Sequence, residues 1–319
     1  MPRFSRYAAS IALGLTLMAP VASVAENSII TDDQLEIRFV GVFIEAEFFK
    51  PVIRGMEEAA EIFNVDAVFT GSTGADVEEQ NRMIRQFADE GVDGIAVDII
   101  DDNAYNDAIA YAMDKGVPVV AFNVDATNGE GPHLAFTQQY FVDAGKSIAS
   151  YVIDDIPEGA TVLVTQHDPG VSALEDRAAG VKAILASKNL NVIDKILVNN
   201  AQEAKSLIID ELNANPDISV IIATGNADTE GAGLASKETG RDLIVAGFDL
   251  STNILAMIEE GIISATTDQQ PYMQGFYPVV QLVLNNRYGL LPSNIDAGSG
   301  LVTKDNATAV KALAAAGYR

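Results

Sequence analysis

Short apolar runs rich in β-branched residues alternate with longer amphipathic stretches along most of this chain. One series comprises IRFVGVFI (37–44), VDAVFT (65–70), GIAVDI (94–99) and VPVVAFNV (117–124). A second comprises ATVLVTQ (160–166), VIDKILV (192–198), ISVIIAT (218–224), DLIVAGF (242–248) and IISATTD (262–268). The runs have strand length and are apolar on both faces, as parallel strands covered by helices on each side are. Between them, residues 51–63, 75–90, 103–115, 173–187 and 201–213 place apolar side chains at helical spacing. Strand-then-helix repetition of this kind predicts an α/β fold of doubly wound parallel sheets.

Four strand–helix units precede Asp125, and the second series opens near Ala160. At 319 residues the chain exceeds a typical single domain, so the two series are read as two lobes of similar size. The segment between them, GEGPHLAFTQQ (129–139), carries Gly, Pro and polar residues and a strand-like HLAFT, and a helix over 140–153 follows. The first crossing between lobes is placed there.

The first residues read as an address. Arg3 and Arg6 precede a mostly apolar stretch over 8–24, and Ser23-Val24-Ala25 supplies the small residues of a cleavage site. A signal peptide of residues 1–25 and a periplasmic mature protein are expected. Pro20 and Ser23 interrupt the stretch, which argues against an anchor, and no later stretch reaches membrane-spanning length without charges. The absence of cysteine excludes disulfides, thiolate metal sites and a lipid-modified N-terminal Cys. Acidic residues outnumber basic ones 45 to 20, and a formal charge of −25 repels phosphate backbones, so nucleic acid is not expected as a partner.

In doubly wound sheets, ligands sit beyond the carboxyl ends of the strands. Those ends read Glu45-Ala46-Glu47-Phe48-Phe49, Asp98, Asn123-Val124-Asp125, Gln166-His167-Asp168, Gly225-Asn226-Ala227-Asp228, Phe248-Asp249 and Asp268-Gln269. Carboxylates and amides match hydroxyl groups, and aromatic rings pack on the C–H face of a pyranose, so the mixture suits a sugar. Each Asp or Asn also suits a helix N-cap, the alternative for Asp98, Asp168 and Asp268. Glu45 and Glu47 fall on one face of an extended segment by alternation, which would add acid to the site mouth and suit an amino sugar.

Phe48-Phe49, VPVVAFNVDA (117–126), SALEDRAAG (172–180), ATGNAD (223–228), VAGFD (245–249) and SATTDQQP (264–271) occur in the order found in type I periplasmic sugar-binding proteins. Over residues 36–301 the chain resembles the ribose- and galactose-binding type. The resemblance implies two lobes joined by a hinge of several crossings, the later ones near Gln269-Gln270-Pro271 and Ala297-Gly298. The expected lobes are 26–137 plus 270–297 and 138–269 plus 298–319.

It further implies Phe48 and Phe49 as an aromatic wall, Asn123 with Asp125 as first-lobe hydrogen-bonding groups, and Arg177, Asn226 and Asp249 as second-lobe ligands. Gln269 falls at the hinge. Asp98 and Asp228 are further candidates, with Glu45 and Glu47. The bland alternatives are a core Phe48, an Arg177 paired with Glu175 or Asp176, and an Asp249 that caps the following helix. Ala46 stands where the ribose-binding type has asparagine, Val124 where it has arginine, and no aromatic residue stands near Asn200-Ala201. The resemblance therefore does not single out ribose.

The function implied is capture of a monosaccharide or polyol for the permease of an ABC importer, by a monomer with no cofactor. A sensor presenting the same ligand to a chemoreceptor or kinase shares every feature. A glycosidase needs a carboxyl pair about 5–10 Å apart, one with a raised pKa, which sequence does not reveal. G-x-S-x-G, Walker and H-E-x-x-H motifs are absent, so no catalytic residue is assigned. No metal site is expected either: the two histidines, His133 and His167, are far apart in sequence, and no D-x-D-x-D-G loop offers calcium ligands.

Overall fold

A computed structural model describes residues 33–126 and 130–319. The expected signal peptide lies outside the described residues. The first sheet holds β1 (Leu35–Gly41), β2 (Val65–Gly71), β3 (Gly94–Val97), β4 (Val119–Asn123), β5 (Phe136–Gln138) and β11 (Ile295–Asp296). The second holds β6 (Thr161–Gln166), β7 (Asn191–Ile196), β8 (Ile218–Ala223), β9 (Ile244–Phe248), β10 (Ala265–Asp268) and β12 (Gly300–Thr303). Their orders correspond, β2-β1-β3-β4-β5-β11 and β7-β6-β8-β9-β10-β12. All pairs are parallel except β10 with β12, which run antiparallel. The fold is thus two doubly wound α/β lobes.

The central strands of each sheet are covered on both faces, which explains their unbroken apolar runs, whereas the edge strands β2 and β7 are partly exposed. Ile37, Phe39 and Val40 of β1 are fully buried, as are Val220, Ile221 and Ile222 of β8. Helices α1 (Phe49–Phe63), α2 (Val77–Glu90), α3 (Asn106–Asp114) and α9 (Pro271–Tyr288) belong to the first lobe. The second has α4 (Phe141–Val152), α5 (Ser172–Leu185), α6 (Ala201–Ala214), α7 (Asn226–Thr239), α8 (Thr252–Glu260) and α10 (Ala307–Ala315). Local chemistry marks their ends. Asp76 caps α2 by accepting from the Glu79 N–H at 2.9 Å, and Pro271 opens α9, where its missing N–H leaves no bond unmade.

The helices next to the crossings are built alike in the two lobes. At Gly55 and Gly275, where α1 meets α9, a Cβ would collide with the backbone oxygens of Tyr272 and Val52. At Gly145 and Gly180, where α4 meets α5, it would collide with those of Arg177 and Val142. Glycine is required here for close helix approach rather than for backbone freedom.

Three strands of chain pass between the sheets: residues 139–140, 269–270 and 297–299. They are stitched together. Gln139 Nε2 donates to the Gly298 carbonyl at 2.9 Å, Gln270 Nε2 to the Ala297 carbonyl at 2.6 Å, and the Ala297 N–H to the Gln138 carbonyl at 2.7 Å.

The segment after α10 makes a further bridge. The Arg54 guanidinium of α1 stacks 3.8 Å from the Tyr318 ring centroid and donates to the Tyr318 hydroxyl at 2.7 Å and to the Ala316 carbonyl. The Tyr318 ring lies 5.6 Å from that of Tyr272 in α9. Arg319 pairs with Asp268 at 2.6 Å, beside the second crossing.

Candidate functional site

The carboxyl ends of the two sheets face a common cleft of about 170 Å³. Five described non-glycine residues have positive φ, and four of them, Phe43, Asn123, Asp249 and Gln270, follow or end strands beside it. The fifth, Asn64, closes α1. Such conformations cost about 1 kcal/mol or more each, so their gathering at one place marks the site.

From the first lobe, Val42, Phe43, Ala46, Phe48, Phe49, Ile100, Asn123 and Val124 line the cleft. Phe49 is 3% exposed and anchored in the core 5.3 Å from the Phe69 ring, while Phe48 is half-buried and meets Phe49 edge-on at 5.1 Å. Asn123 donates Nδ2 to Asp98 Oδ2 at 3.1 Å, leaving its own Oδ1 as an acceptor.

The charged groups come from the second lobe. Arg177, on α5, is buried. Its Nε and Nη2 donate to Gln139 Oε1 at 3.3 and 3.1 Å, and its Nη1 to the Thr224 carbonyl at 3.0 Å. Two of its five N–H groups remain, one of them on the nitrogen 3.9 Å from Asp249 Oδ2. The guanidinium also lies 4.4 Å from the Phe248 ring centroid and 5.2 Å from that of Phe141. Burial lowers its pKa against the opposing fields of Asp249 and Asp228. Asp249 Oδ1 accepts from Gln269 Nε2 at 2.5 Å, so a carboxylate, a guanidinium and two hinge glutamines form one network. Asn226, the first residue of α7, lines the same wall.

Residues 37–285 match the periplasmic binding protein domain. The chain belongs to that family. The xylose/arabinose-binding protein of Sulfolobus acidocaldarius is 26% identical to it, across 85% of this chain and 71% of its own. The ribose import binding protein of Bacillus subtilis is 29% identical, across 72% and 74%. A carbohydrate transporter structure from Acidothermus cellulolyticus, in complex with myo-inositol, aligns with a TM-score of 0.79 at 27% identity and covers 90% of this chain and 100% of that one.

Of the residues expected in the site of this binding protein, Phe48, Phe49, Asn123, Arg177, Asn226, Asp249 and Gln269 line the cleft together. Asp125 does not. The left-handed conformation of Asn123, φ 62°, breaks the alternation that would have kept both residues on one side. Asp125 is instead buried against His133, with Oδ2 3.2 Å from Nε2, and its Oδ1 accepts from the Ala126 N–H at 2.8 Å. Glu45 is exposed and outside the cleft, and Glu47 lies at a smaller depression with Phe48, Asp249 and Arg319 while paired with Lys50 at 2.7 Å. The segment that carries them turns instead of extending, so they share no face.

Asp98 and Asp228 support the site from beneath. Burial pushes the Asp98 carboxyl up to about 7, against the hydrogen bond from Asn123. Asp228 accepts from Thr165 Oγ1 and from the Thr224 and Gly225 N–H groups at 2.8–3.0 Å, which caps α7 and fixes the residue whose carbonyl receives Arg177.

Three polar lining residues were not among the site candidates from sequence, His167 and Asp168 after β6 and Asn199 after β7. The strand-end rule points to all three. His167 Nδ1 lies 2.8 Å from Asp168 Oδ2. Burial lowers the imidazole pKa, but the Asp168 hydrogen bond and the charges of Asp228, Asp168 and Asp249 outweigh it and leave it above its ordinary value. Among the described residues, no three His, Asp or Glu side chains are grouped to hold a metal, and no helix is long and apolar enough to cross a membrane.

Proposed function

We propose that this periplasmic binding protein captures a monosaccharide or closely related polyol between its lobes and delivers it to the permease of an ABC importer. The observation that carries the reading is the convergence of Arg177, Asp249, Asn226 and Gln269 with Phe48 and Asn123 on one small cleft. A guanidinium and a carboxylate at 3.9 Å offer donors and acceptors to neighbouring hydroxyls, and an aromatic wall accepts C–H faces. The names of its relatives support the same ligand class.

The lobes are assigned as 26–137 with 270–297 and 138–269 with 298–319, an assignment supported by the division of strands between sheets. Hinge closure would bring their walls together around the solute. The leader at residues 1–25 supports export to the periplasm, and the reading is of a monomer. Binding without turnover is favoured by the pairing of the cleft carboxylates, Asp249 near Arg177 and Asp168 with His167. A glycosidase acid requires a carboxyl kept protonated instead.

A thermal-shift panel of pentoses, hexoses, amino sugars and polyols, followed by calorimetry and mass spectrometry of the recovered solute, tests this. Saturable binding with the solute unchanged is expected, because ligand raises apparent stability by RT ln(1 + [L]/Kd). Failure of every sugar and polyol to bind would overturn the reading, and a converted solute would make the protein an enzyme.

A further inference from the structure

The cleft has two chemically separate regions. Arg177, Asp249 and Gln269 are linked to one another by contacts of 3.9 Å or less. Val42, Phe43, Ile100, Val124, Val171 and Ala173 also line it, and all six belong to one continuous apolar cluster that spans both lobes. None of these six side chains carries a donor or acceptor.

The backbone at Val124 is already engaged. Its N–H donates to the Phe122 carbonyl at 2.7 Å, and its carbonyl accepts from the Ile99 N–H at 2.9 Å. A solute hydroxyl pressed into this region would lose its water without gaining a partner, a penalty that polar groups pay and methyl groups do not. A methyl group there would instead gain burial.

We propose that the solute is amphipathic, a deoxy sugar or O-methylated polyol whose methyl-bearing edge enters the region of Val42, Ile100 and Val124 while its hydroxyls meet Arg177 and Asp249. The inference rests on the proposed capture of a sugar or polyol and narrows it. The cleft is also small beside the roughly 300–1,000 Å³ of drug-sized sites, so a solute that fills it must touch both regions.

Matched pairs test the idea by calorimetry: L-fucose with L-galactose, L-rhamnose with L-mannose, and an O-methyl-inositol with myo-inositol. The methyl-bearing member of at least one pair should bind about 10-fold or more tightly than its hydroxylated partner. In Val124→Thr, which keeps the side-chain shape and adds a hydroxyl, that ratio should shrink towards one, and thermal melting would verify that the variant is folded. Ile100→Thr repeats the test from the neighbouring strand end.

A fully hydroxylated pentose, hexose or inositol that bound as tightly as the best methyl-bearing solute would overturn this inference and leave sugar capture standing. Equal losses for both members of a pair in folded Val124→Thr would assign the apolar region to lobe closure and overturn it too. Absence of binding by any sugar or polyol would remove both readings.

Discussion

The first lobe brings to the cleft aliphatic and aromatic side chains with a single amide, Asn123, whereas the second brings Arg177, Asp249, Asp168, His167, Asn226 and Asn199 beside the apolar Phe141, Val171, Ala173 and Leu174. The sheets behind these walls have corresponding strand orders, so the difference lies in the strand-end residues. It separates two tasks. Directional charge-assisted bonds come from the second wall, and exclusion of water is shared, with the first wall supplying more of the apolar side chains. Closing an apolar wall over a charged one lowers the local dielectric and strengthens the bonds beneath it. Arg177 joins the tasks, because it holds Gln139 at the first crossing and so ties the charged wall to the hinge.

The sharpest break in this comparison should come at the aromatic pair. Phe49→Ala should cost about 3–5 kcal/mol of folding stability, because its ring is part of the first-lobe core. Phe48→Ala should leave most of that stability intact and weaken solute binding. Denaturant melts beside calorimetry would distinguish them, and equal stability losses would place Phe48 in the core as well.

Next in size is the buried acid under the first wall. With its pKa raised to about 7, folded Asp98 keeps a proton that the unfolded chain releases above about pH 4. Its contribution to stability is therefore greatest below pH 4, falls as pH rises towards 7, and is level above that. Each pH unit crossed inside the window costs about 1.4 kcal/mol. Asp98→Asn should remove this slope from stability measured between pH 5 and 8 while keeping an acceptor for Asn123. An unchanged slope would mean that Asp98 is ionised in the fold.

Arg177→Lys keeps the charge and loses the fork that serves Gln139, Thr224 and the solute. Affinity should fall by roughly 10- to 150-fold, the equivalent of one charge-assisted bond at about 1.5–3 kcal/mol. Asn123→Ala on the opposite wall removes a neutral bond of about 0.5–1.5 kcal/mol, for a loss of roughly 2- to 12-fold. If calorimetry ranked these two variants the other way, the charged and apolar walls would have exchanged roles.

Much of the fold was legible in sequence because parallel strands buried on both faces leave continuous apolar runs. The sites at their ends followed from that. What was not legible is conformational. Asn123 was correctly placed at a strand end, yet nothing in VPVVAFNVDA announces the left-handed turn that sends Asp125 away to His133. Glu45 and Glu47 look like one face only if their segment is extended, and it turns. Strands β11 and β12, of two and four residues, are too short to carry a periodicity and are set by the sheet edges that receive them. Gln139 and Gln270 are ordinary polar residues in sequence and become hinge stitches only when three distant crossings meet.

The bridge formed by Arg54, Tyr272 and Tyr318 has an optical consequence. The chain contains no tryptophan, so its near-ultraviolet absorption and emission arise mainly from nine tyrosines. Two of these, with ring centroids 5.6 Å apart, sit on opposite sides of the boundary between lobes: Tyr272 at the start of α9, and Tyr318 beyond α10, under a stacked guanidinium. Rotation of one lobe against the other would change that stacking. The protein therefore carries an unlabelled spectroscopic gauge of lobe separation, and Tyr318→Phe provides the reference that isolates its signal.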